Sequence, residues 1–144
     1  HRLIELFLSQ TLELSWDEVH EEAENMEHAV SDHLIDRIEK YLGYPTTDPH
    51  GDPIPRADGT IEITNNRTLA EASVGELFRL VRVLDQSPEF LRYLSESGLS
   101  LGVEGEVAAN RAEAGVGTVR IGGIDITLSR DVAEKLLIDT SVRR

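Results

Sequence analysis

Cysteine is absent from this 144-residue chain, which excludes disulfide bonds and cysteine-based zinc, thiol or iron–sulfur chemistry. Basic residues are also scarce, since 14 Lys and Arg stand against 27 Asp and Glu, for a formal net charge of −13. A chain this acidic repels phosphate, so its own residues are poorly suited to non-specific nucleic-acid binding. No run of about 18 apolar residues is present, and we expect no transmembrane segment.

The chain does not begin with Met, and its first residues do not have the pattern that we expect of a signal sequence. It opens on His-Arg-Leu-Ile-Glu-Leu-Phe-Leu, an amphipathic run that is already under way. We therefore expect a fragment whose N-terminal portion is missing. The length fits one domain or two small domains, each with a modest hydrophobic core.

Two helices are predicted in the first forty-odd residues. The first is indicated by apolar residues at the three-to-four spacing of one helix face: Leu3, Ile4, Phe7, Leu8 and Leu12. Ser15 and Glu18 have the spacing of a capping box, and the second helix is predicted from about Trp16 to Leu42. Gly43 and Pro45 then end it.

Residues 44–66 are rich in Pro, Gly, Asp and Asn, a composition typical of turns and linkers. We place a helical domain at residues 1–55, a linker at 56–67 and a second domain at 68–144. In that second domain the apolar period changes to about 2, which predicts strands at residues 77–84, 103–108, 117–121 and 124–128. Gly122-Gly123 is expected as a tight hairpin turn, and a short helix follows Ser87-Pro88. The prediction is an α+β chain in which a small, partly open β-barrel follows the helices.

Four potential metal ligands share one face of the second predicted helix, next to its apolar stripe. His20, Glu24, Glu27 and His28 project within an arc about 100° wide, because each residue turns the helix by 100°. Eight residues rise about 12 Å along the axis, so one ion cannot contact all four side chains. The spacing favours two sites, one around the last three residues and another built on His20. The first helix offers the latter site His1 and Glu5, which are one turn apart.

Other histidines and carboxylates have a simpler interpretation. Five acidic residues of the second helix are interpreted as solvated: Glu18, Glu21, Glu22, Asp32 and Asp36. His33 and His50 lack comparable neighbours in the sequence and are interpreted as structural or solvated. A His–Glu pair four residues apart is commonly only a surface pair, so an acidic solvated face stays open as an alternative to metal binding.

Three segments closely resemble the metal-dependent transcriptional repressors of the diphtheria toxin repressor and manganese transport regulator family. They are His1-Arg-Leu-Ile-Glu5, the segment from Trp16 to Asp32, and Pro49-His-Gly-Asp-Pro-Ile-Pro55. On a looser pattern, residues 68–144 resemble the SH3-like C-terminal domain of the longer members, which is related to the ferrous-transport accessory domain.

The resemblance implies two metal sites. Three residues match the ancillary-site ligands of the family: His1, Glu5 and His20. Three others match the helix ligands of the primary, activating site: Glu24, Glu27 and His28. The SH3-like domain of such proteins lends an acidic residue to the ancillary site, for which Asp85 is the better match and Gln86 the weaker one. The apolar stripe would be the dimerisation surface: Val19, Ala23, Met26, Val30, Leu34 and Ile38.

The resemblance also implies the corepressor and the partners. Iron-responsive members have a cysteine where this sequence has Glu24, and a hard carboxylate oxygen suits Mn²⁺ better than a thiolate does. We therefore expect Mn²⁺, with Fe²⁺ as the alternative, and Zn²⁺, Co²⁺ or Cd²⁺ as possible occupants in vitro. The implied protein is a cytoplasmic homodimer that represses genes of metal homeostasis. It binds operator DNA through an N-terminal winged helix-turn-helix that this sequence does not contain.

Two other functions compete with this one. A dimetal carboxylate enzyme needs four ligand-bearing helices and a Glu-x-x-His spacing, whereas only two such helices are predicted, so we expect no enzyme activity. An SH3-like or helical protein-interaction module without a regulatory metal would bind a proline-rich segment in an aromatic groove. The aromatic residues available to it are Phe78, Phe90 and Tyr93.

Overall fold

The computed structural model describes residues 1–55 and 66–141. Within these residues the chain forms two compact units. The first comprises residues 1–55 and 86–92, and the second comprises residues 66–85 and 93–141. Most of the predicted linker, residues 56–65, lies outside the described residues, so the domain boundaries stay a prediction. No helix in the described stretches has the length and apolar character that a bilayer crossing needs.

Three helices build the first unit: α1 (Arg2–Thr11), α2 (Val19–Glu27) and α3 (Asp32–Tyr41). The prediction of one continuous helix from Trp16 to Leu42 is wrong. Ser31 has an extended backbone, and its side-chain oxygen accepts a hydrogen bond from the Leu34 amide at 3.1 Å. Ser31 is therefore the N-cap of a new helix, although the apolar period continues through it. Its side chain satisfies the Leu34 amide, which in a continuous helix would bond to a backbone carbonyl of the preceding turn.

Helix α1 packs against two apolar clusters, and this packing determines which of its polar residues are buried. One cluster contains Leu3, Leu6, Ile38 and Ile54, and the other contains Ile4, Leu8, Val19 and Ala23. Because consecutive residues of α1 face different clusters, little of its surface reaches water. Glu5 is consequently only 2% exposed.

The segment before residue 55 is folded against the helices, which differs from the expectation of linker chemistry from residue 44 onward. Thr47 and Pro53 form an antiparallel bridge, and the Ile54 amide donates to the Thr46 carbonyl at 2.8 Å. The Asp48 amide likewise donates to the Asp52 carbonyl at 2.9 Å. This tight loop, residues 46–54, inserts Ile54 into the first apolar cluster and buries three polar residues: Asp48, His50 and Asp52.

The second unit contains a six-stranded antiparallel sheet in the order β1-β6-β2-β3-β4-β5. Its strands are β1 (Arg67–Thr68), β2 (Leu77–Val83), β3 (Glu104–Arg111), β4 (Val116–Ile121), β5 (Ile124–Ser129) and β6 (Leu136–Asp139). Helix α4 (Pro88–Glu96) follows β2, and the short α5 (Arg130–Ala133) precedes β6. The four predicted strands are confirmed, whereas β1 falls at the end of the predicted linker and was not expected.

Alternation of side chains explains how the sheet forms its core. Phe78 and Leu80 of β2 are buried, as are Leu136 and Ile138 of β6, while the residues between them are more exposed. The hairpin between β4 and β5 is confirmed at Gly122-Gly123, where both residues have positive φ, +59° and +80°. The α+β class, with helices followed by an SH3-like β domain, is likewise confirmed.

A glycine in β3 provides a test of this sheet. Gly105 lies opposite Phe78, and a methyl group added there would meet the Arg120 carbonyl oxygen and Ile121 at 2.8 Å. We expect Gly105→Ala to lower the free energy of unfolding by about 1–3 kcal/mol, because backbone and core must move apart. Gly117→Ala is the matched control, since its nearest contact is 3.3 Å, and urea unfolding should show a smaller loss. Equal stability of the two variants would contradict this packing.

Candidate metal centre

Helices α1 and α2 bring together the three residues expected at the ancillary site. His1 Nε2 lies 3.1 Å from His20 Nδ1 and 3.6 Å from Glu5 Oε1. The second carboxylate oxygen, Glu5 Oε2, lies 3.7 Å from His20 Nδ1. One ligand atom from each side chain therefore lies within 4.8 Å of the others, a spacing that a single ion can bridge. We call these three residues the His1 cluster.

Glu27 is the one residue of the expected primary site that reaches the His1 cluster. Its Oε2 atom lies 2.5 Å from His1 Nδ1, whereas Glu5 lies near the other ring nitrogen, Nε2. Glu24 and His28 are exposed, and within the described residues neither belongs to a group of three ligating side chains. His28 follows the last residue of α2 as its C-cap. The primary-site role of these three residues stays a prediction.

The two candidates from the second domain have other partners. Asp85 belongs to the second unit, where its carboxylate accepts a hydrogen bond from Lys135 Nζ at 2.9 Å. Gln86 belongs to the first unit, where its side-chain amide donates to the Asp52 carboxylate. A ligand role for Asp85 or Gln86 stays a prediction.

The apolar stripe expected at the dimer interface is divided by the fold. Val19 and Ala23 are 0% exposed and Ile38 is 5% exposed, because all three pack in the core of their own chain. Met26 and Val30 are half-buried against the second apolar cluster, and Leu34 is 45% exposed. The core residues are therefore not available to a second subunit in this arrangement. An interface role for the rest of the stripe stays a prediction.

Two residues with ligating side chains were not foreseen beside Glu5. His50 was interpreted as structural or solvated, and Asp48 received no role, yet both are buried and both face the Glu5 carboxylate side of α1. His50 Nδ1 lies 3.6 Å from Asp48 Oδ2 and 3.9 Å from Glu5 Oε2. The sequence signal was the string Asp-Pro-His-Gly-Asp, whose turn-forming residues were interpreted as a solvated segment.

Burial and charge act in opposite directions on these groups. Burial raises the pKa of Glu5 above its usual value, although the neighbouring His50 partly offsets this effect. Burial alone would lower the pKa of His50, but the Asp48 carboxylate, the Trp16 carbonyl and Glu5 outweigh it and raise that pKa. Burial thus disfavours the ionised form of Glu5, while the acceptors around His50 favour its protonated form.

The donor set fits a divalent first-row cation. Imidazole nitrogens and carboxylate oxygens are the ligands that such ions take in proteins. Glu5 Oε2 is buried and has no hydrogen-bond partner, so an acceptor is already directed at the space beside His20. A buried acceptor without a donor is unfavourable, and a bound cation would remove that penalty.

Comparison with known proteins agrees with this chemistry. Residues 1–56 match a family model described as iron dependent repressor, metal binding and dimerisation domain, and residues 67–140 match the FeoA domain. The iron-dependent repressor IdeR of Mycobacterium leprae is 39% identical over 88 residues, which cover 61% of this chain and 36% of that protein. The chain thus matches about a third of the length of this relative.

Solved structures extend the similarity over both units. A manganese-dependent transcriptional repressor is 42% identical with a TM-score of 0.90, and the match covers 96% of this chain and 76% of that one. A complex of such a repressor with manganese is also 42% identical, has a TM-score of 0.89, and covers 97% and 67% respectively. The chain therefore belongs to the family of iron- and manganese-dependent transcriptional repressors, and it carries their metal-binding and dimerisation domain.

Proposed function

We propose that this chain is the metal-sensing and dimerising part of a cytoplasmic transcriptional repressor that controls metal-ion homeostasis, with Mn²⁺ or Fe²⁺ as corepressor. The observation that carries the proposal is the convergence of His1, Glu5 and His20, joined by Glu27, between α1 and α2. The family consists of regulatory repressors, which also favours regulation over catalysis.

Manganese is the preferred corepressor on chemical grounds. The ligands expected from residues 1–28 are all imidazole nitrogens or carboxylate oxygens, and Glu24 supplies a carboxylate where a thiolate would favour later metals. The similarity to a repressor solved with manganese supports the same choice. Zn²⁺, Co²⁺ and Cd²⁺ would compete in vitro, because the intrinsic affinity of such sites follows the Irving–Williams order.

The residues of this chain would act by holding two helices in one arrangement. His1 lies at the start of α1 and contacts both Glu27, on α2, and Glu5, so its ring joins the two expected sites. A bound divalent cation supplies positive charge that offsets the clustered carboxylates. Glu24, Glu27 and His28 would complete the primary site with ligands from an N-terminal winged helix-turn-helix. The metal-bound homodimer would then hold its two recognition helices at the spacing of the operator half-sites.

The competing interaction module has less support. The second unit has an apolar depression among β3, β4 and β5, lined by small aliphatic and polar residues such as Val107, Ala109 and Val116. None of the described residues that line it is aromatic, whereas grooves for proline-rich segments are built from aromatic rings. We therefore do not assign this depression to peptide binding.

The metal ligands can be tested by substitution in the intact protein. We expect Glu27→Ala and His28→Ala each to weaken Mn²⁺ binding in calorimetric titration at least about tenfold, because losing even an outer-shell partner of a metal site costs 10–100-fold. Operator binding at a fixed Mn²⁺ concentration should weaken in parallel. Glu22→Ala and His33→Ala are the matched controls, since both residues are exposed and neither is an expected ligand. Unchanged affinity and operator binding in the ligand variants would contradict the mechanism.

Dimerisation through the exposed part of the stripe has a separate test. Leu34 is 45% exposed on α3, so Leu34→Glu would place a charge on a surface that a second subunit is expected to cover. We expect sedimentation at micromolar concentration to show dimer for the parent protein and mostly monomer for this variant. Leu12→Glu is the control, because Leu12 is 61% exposed outside the stripe and its substitution should leave the dimer intact. A parent protein that sediments as a monomer would refute the interface.

Metal affinity should depend on pH in a direction set by Glu5 and His50. Glu5 must be ionised to bind a cation, and its raised pKa means that protonation begins at a higher pH than for an exposed glutamate. His50, whose pKa is also raised, gains positive charge 3.9 Å from Glu5 Oε2 as the pH falls. We expect Mn²⁺ affinity to fall between pH 7.5 and pH 6, by about tenfold per pH unit for each proton displaced. Equal affinities at the two pH values, with unchanged circular dichroism, would contradict this expectation.

A further inference from the structure

The sheet of the second unit has an open edge at β5. This strand is the last in the sheet order, so among the residues that the structure describes it pairs with β4 on one side only. It pairs with β4 over its whole length without a register shift, whereas the β2–β6 and β3–β4 ladders each contain one. The strand at the opposite edge, β1, has only two residues. Strand β5 is therefore a regular edge that is long enough to accept another strand.

The backbone of β5 directs hydrogen-bonding groups away from the sheet. Because a two-residue turn precedes β5, its first residue forms a hydrogen-bonded pair with the last residue of β4, and the even-numbered residues of β5 bond to β4. The amide of Arg130, just after β5, donates to the Gly115 carbonyl at 2.9 Å and continues this pattern. The N–H and C=O groups of Asp125 and Thr127 therefore point to the open side. Both residues are exposed, so a second strand can reach these groups.

The side chains of β5 lack the features that usually protect an edge strand. Lysine, proline and β-bulges normally prevent such strands from pairing with another chain. The sequence of β5, Ile-Asp-Ile-Thr-Leu-Ser, contains neither lysine nor proline. Its single charge, on Asp125, is paired with Arg120 Nε at 2.9 Å, and Ile124 is 68% exposed at the tip of the hairpin. A regular edge of this composition favours the addition of a strand.

The residues of β5 are complementary to β5 itself in the antiparallel direction. With a two-fold axis at Ile126, each Asp125 lies opposite Thr127 of the other copy, and these two residues exchange their backbone hydrogen bonds. No like charges then lie directly opposite each other, and the Thr127 hydroxyl can donate to the carboxylate. On the other face of the sheet the two Ile126 side chains meet. This self-complementarity favours a second copy of the chain over an unrelated peptide.

We propose that β5 docks onto β5 of a second copy of this chain, so that the sheets of the two copies join into one antiparallel sheet. The proposal goes beyond the repressor function, because β5 lies in the second unit and contains neither an expected metal ligand nor a residue of the apolar stripe. A chain that carries two separate self-complementary interfaces links dimers into larger assemblies. Pairing over so few residues is weak, so we expect this association at high protein concentration.

Disulfide cross-linking in the intact protein tests the pairing and its register, because this chain has no cysteine of its own. In the proposed pairing the two copies of residue 126 have Cα atoms about 4.5 Å apart, within the range of a disulfide. The two copies of residue 124 lie about 14 Å apart along the strands, which is too far. We expect Ile126→Cys to form a covalent dimer under mild oxidation and Ile124→Cys to form none, although Ile124 is the more exposed residue. Equal cross-linking of both variants, or none above the parent protein, would overturn the proposal.

Charge substitution at Thr127 is the second test. Thr127→Asp places like charges opposite Asp125 twice in each pair, so we expect sedimentation of the intact protein to show association beyond the dimer weakened about threefold or more. Thr127→Lys places opposite charges there and should retain the association. Ser100→Asp is the control for net charge, since Ser100 is exposed outside β5. Equal association of the Asp and Lys variants would overturn the proposal, whereas Mn²⁺ and operator binding use other residues and would still test the repressor function separately.

Discussion

The burial of one carboxylate, that of Glu5, is the constraint on which the arrangement of the first unit depends. Helix α1 packs against apolar clusters on two sides, and Glu5 lies between them with 2% of its surface exposed. A buried negative charge is expensive unless positive charge or donors surround it. His1 lies near Oε1 of this carboxylate, and His20 lies near Oε2. His50, in loop 46–54, also approaches Oε2. A divalent cation bound beside Glu5 would compensate this charge.

Helical periodicity was sufficient to predict which polar side chains α1 and α2 bring together. His1, Glu5 and His20 follow from spacing because residues three or four apart lie on one face, and the helix–helix contact brings the two faces together. The strands of the second unit were equally predictable, since alternation and the Gly122-Gly123 turn are local signals. These features depend on short stretches of sequence, which is why a single chain was enough to indicate them.

Other features depended on contacts that a sequence pattern does not contain. The apolar period runs unbroken through residues 16–42, yet the helix is interrupted where Ser31 has an extended backbone and its side chain accepts a hydrogen bond from the Leu34 amide. His50 and Asp48 lie more than forty residues from Glu5 in sequence and meet it only because loop 46–54 folds back onto α1. The apolar stripe of α2 predicted a surface, yet Val19 and Ala23 pack inside their own chain. In each case tertiary packing decided between two interpretations that local chemistry allowed.

The end of α2 has an electrostatic consequence of its own. The last turn of this helix contains no basic residue, and its final residue is Glu27, so carboxylates lie at the pole of the helix that already carries partial negative charge. Such a terminus is prone to fray, because the helix dipole and the side chains repel each other. Positive charge delivered beside Glu24 and Glu27 would relieve both repulsions at once. Folding of the last turn of α2 and binding of the cation would then be coupled, so that metal binding would increase the helical order of this turn.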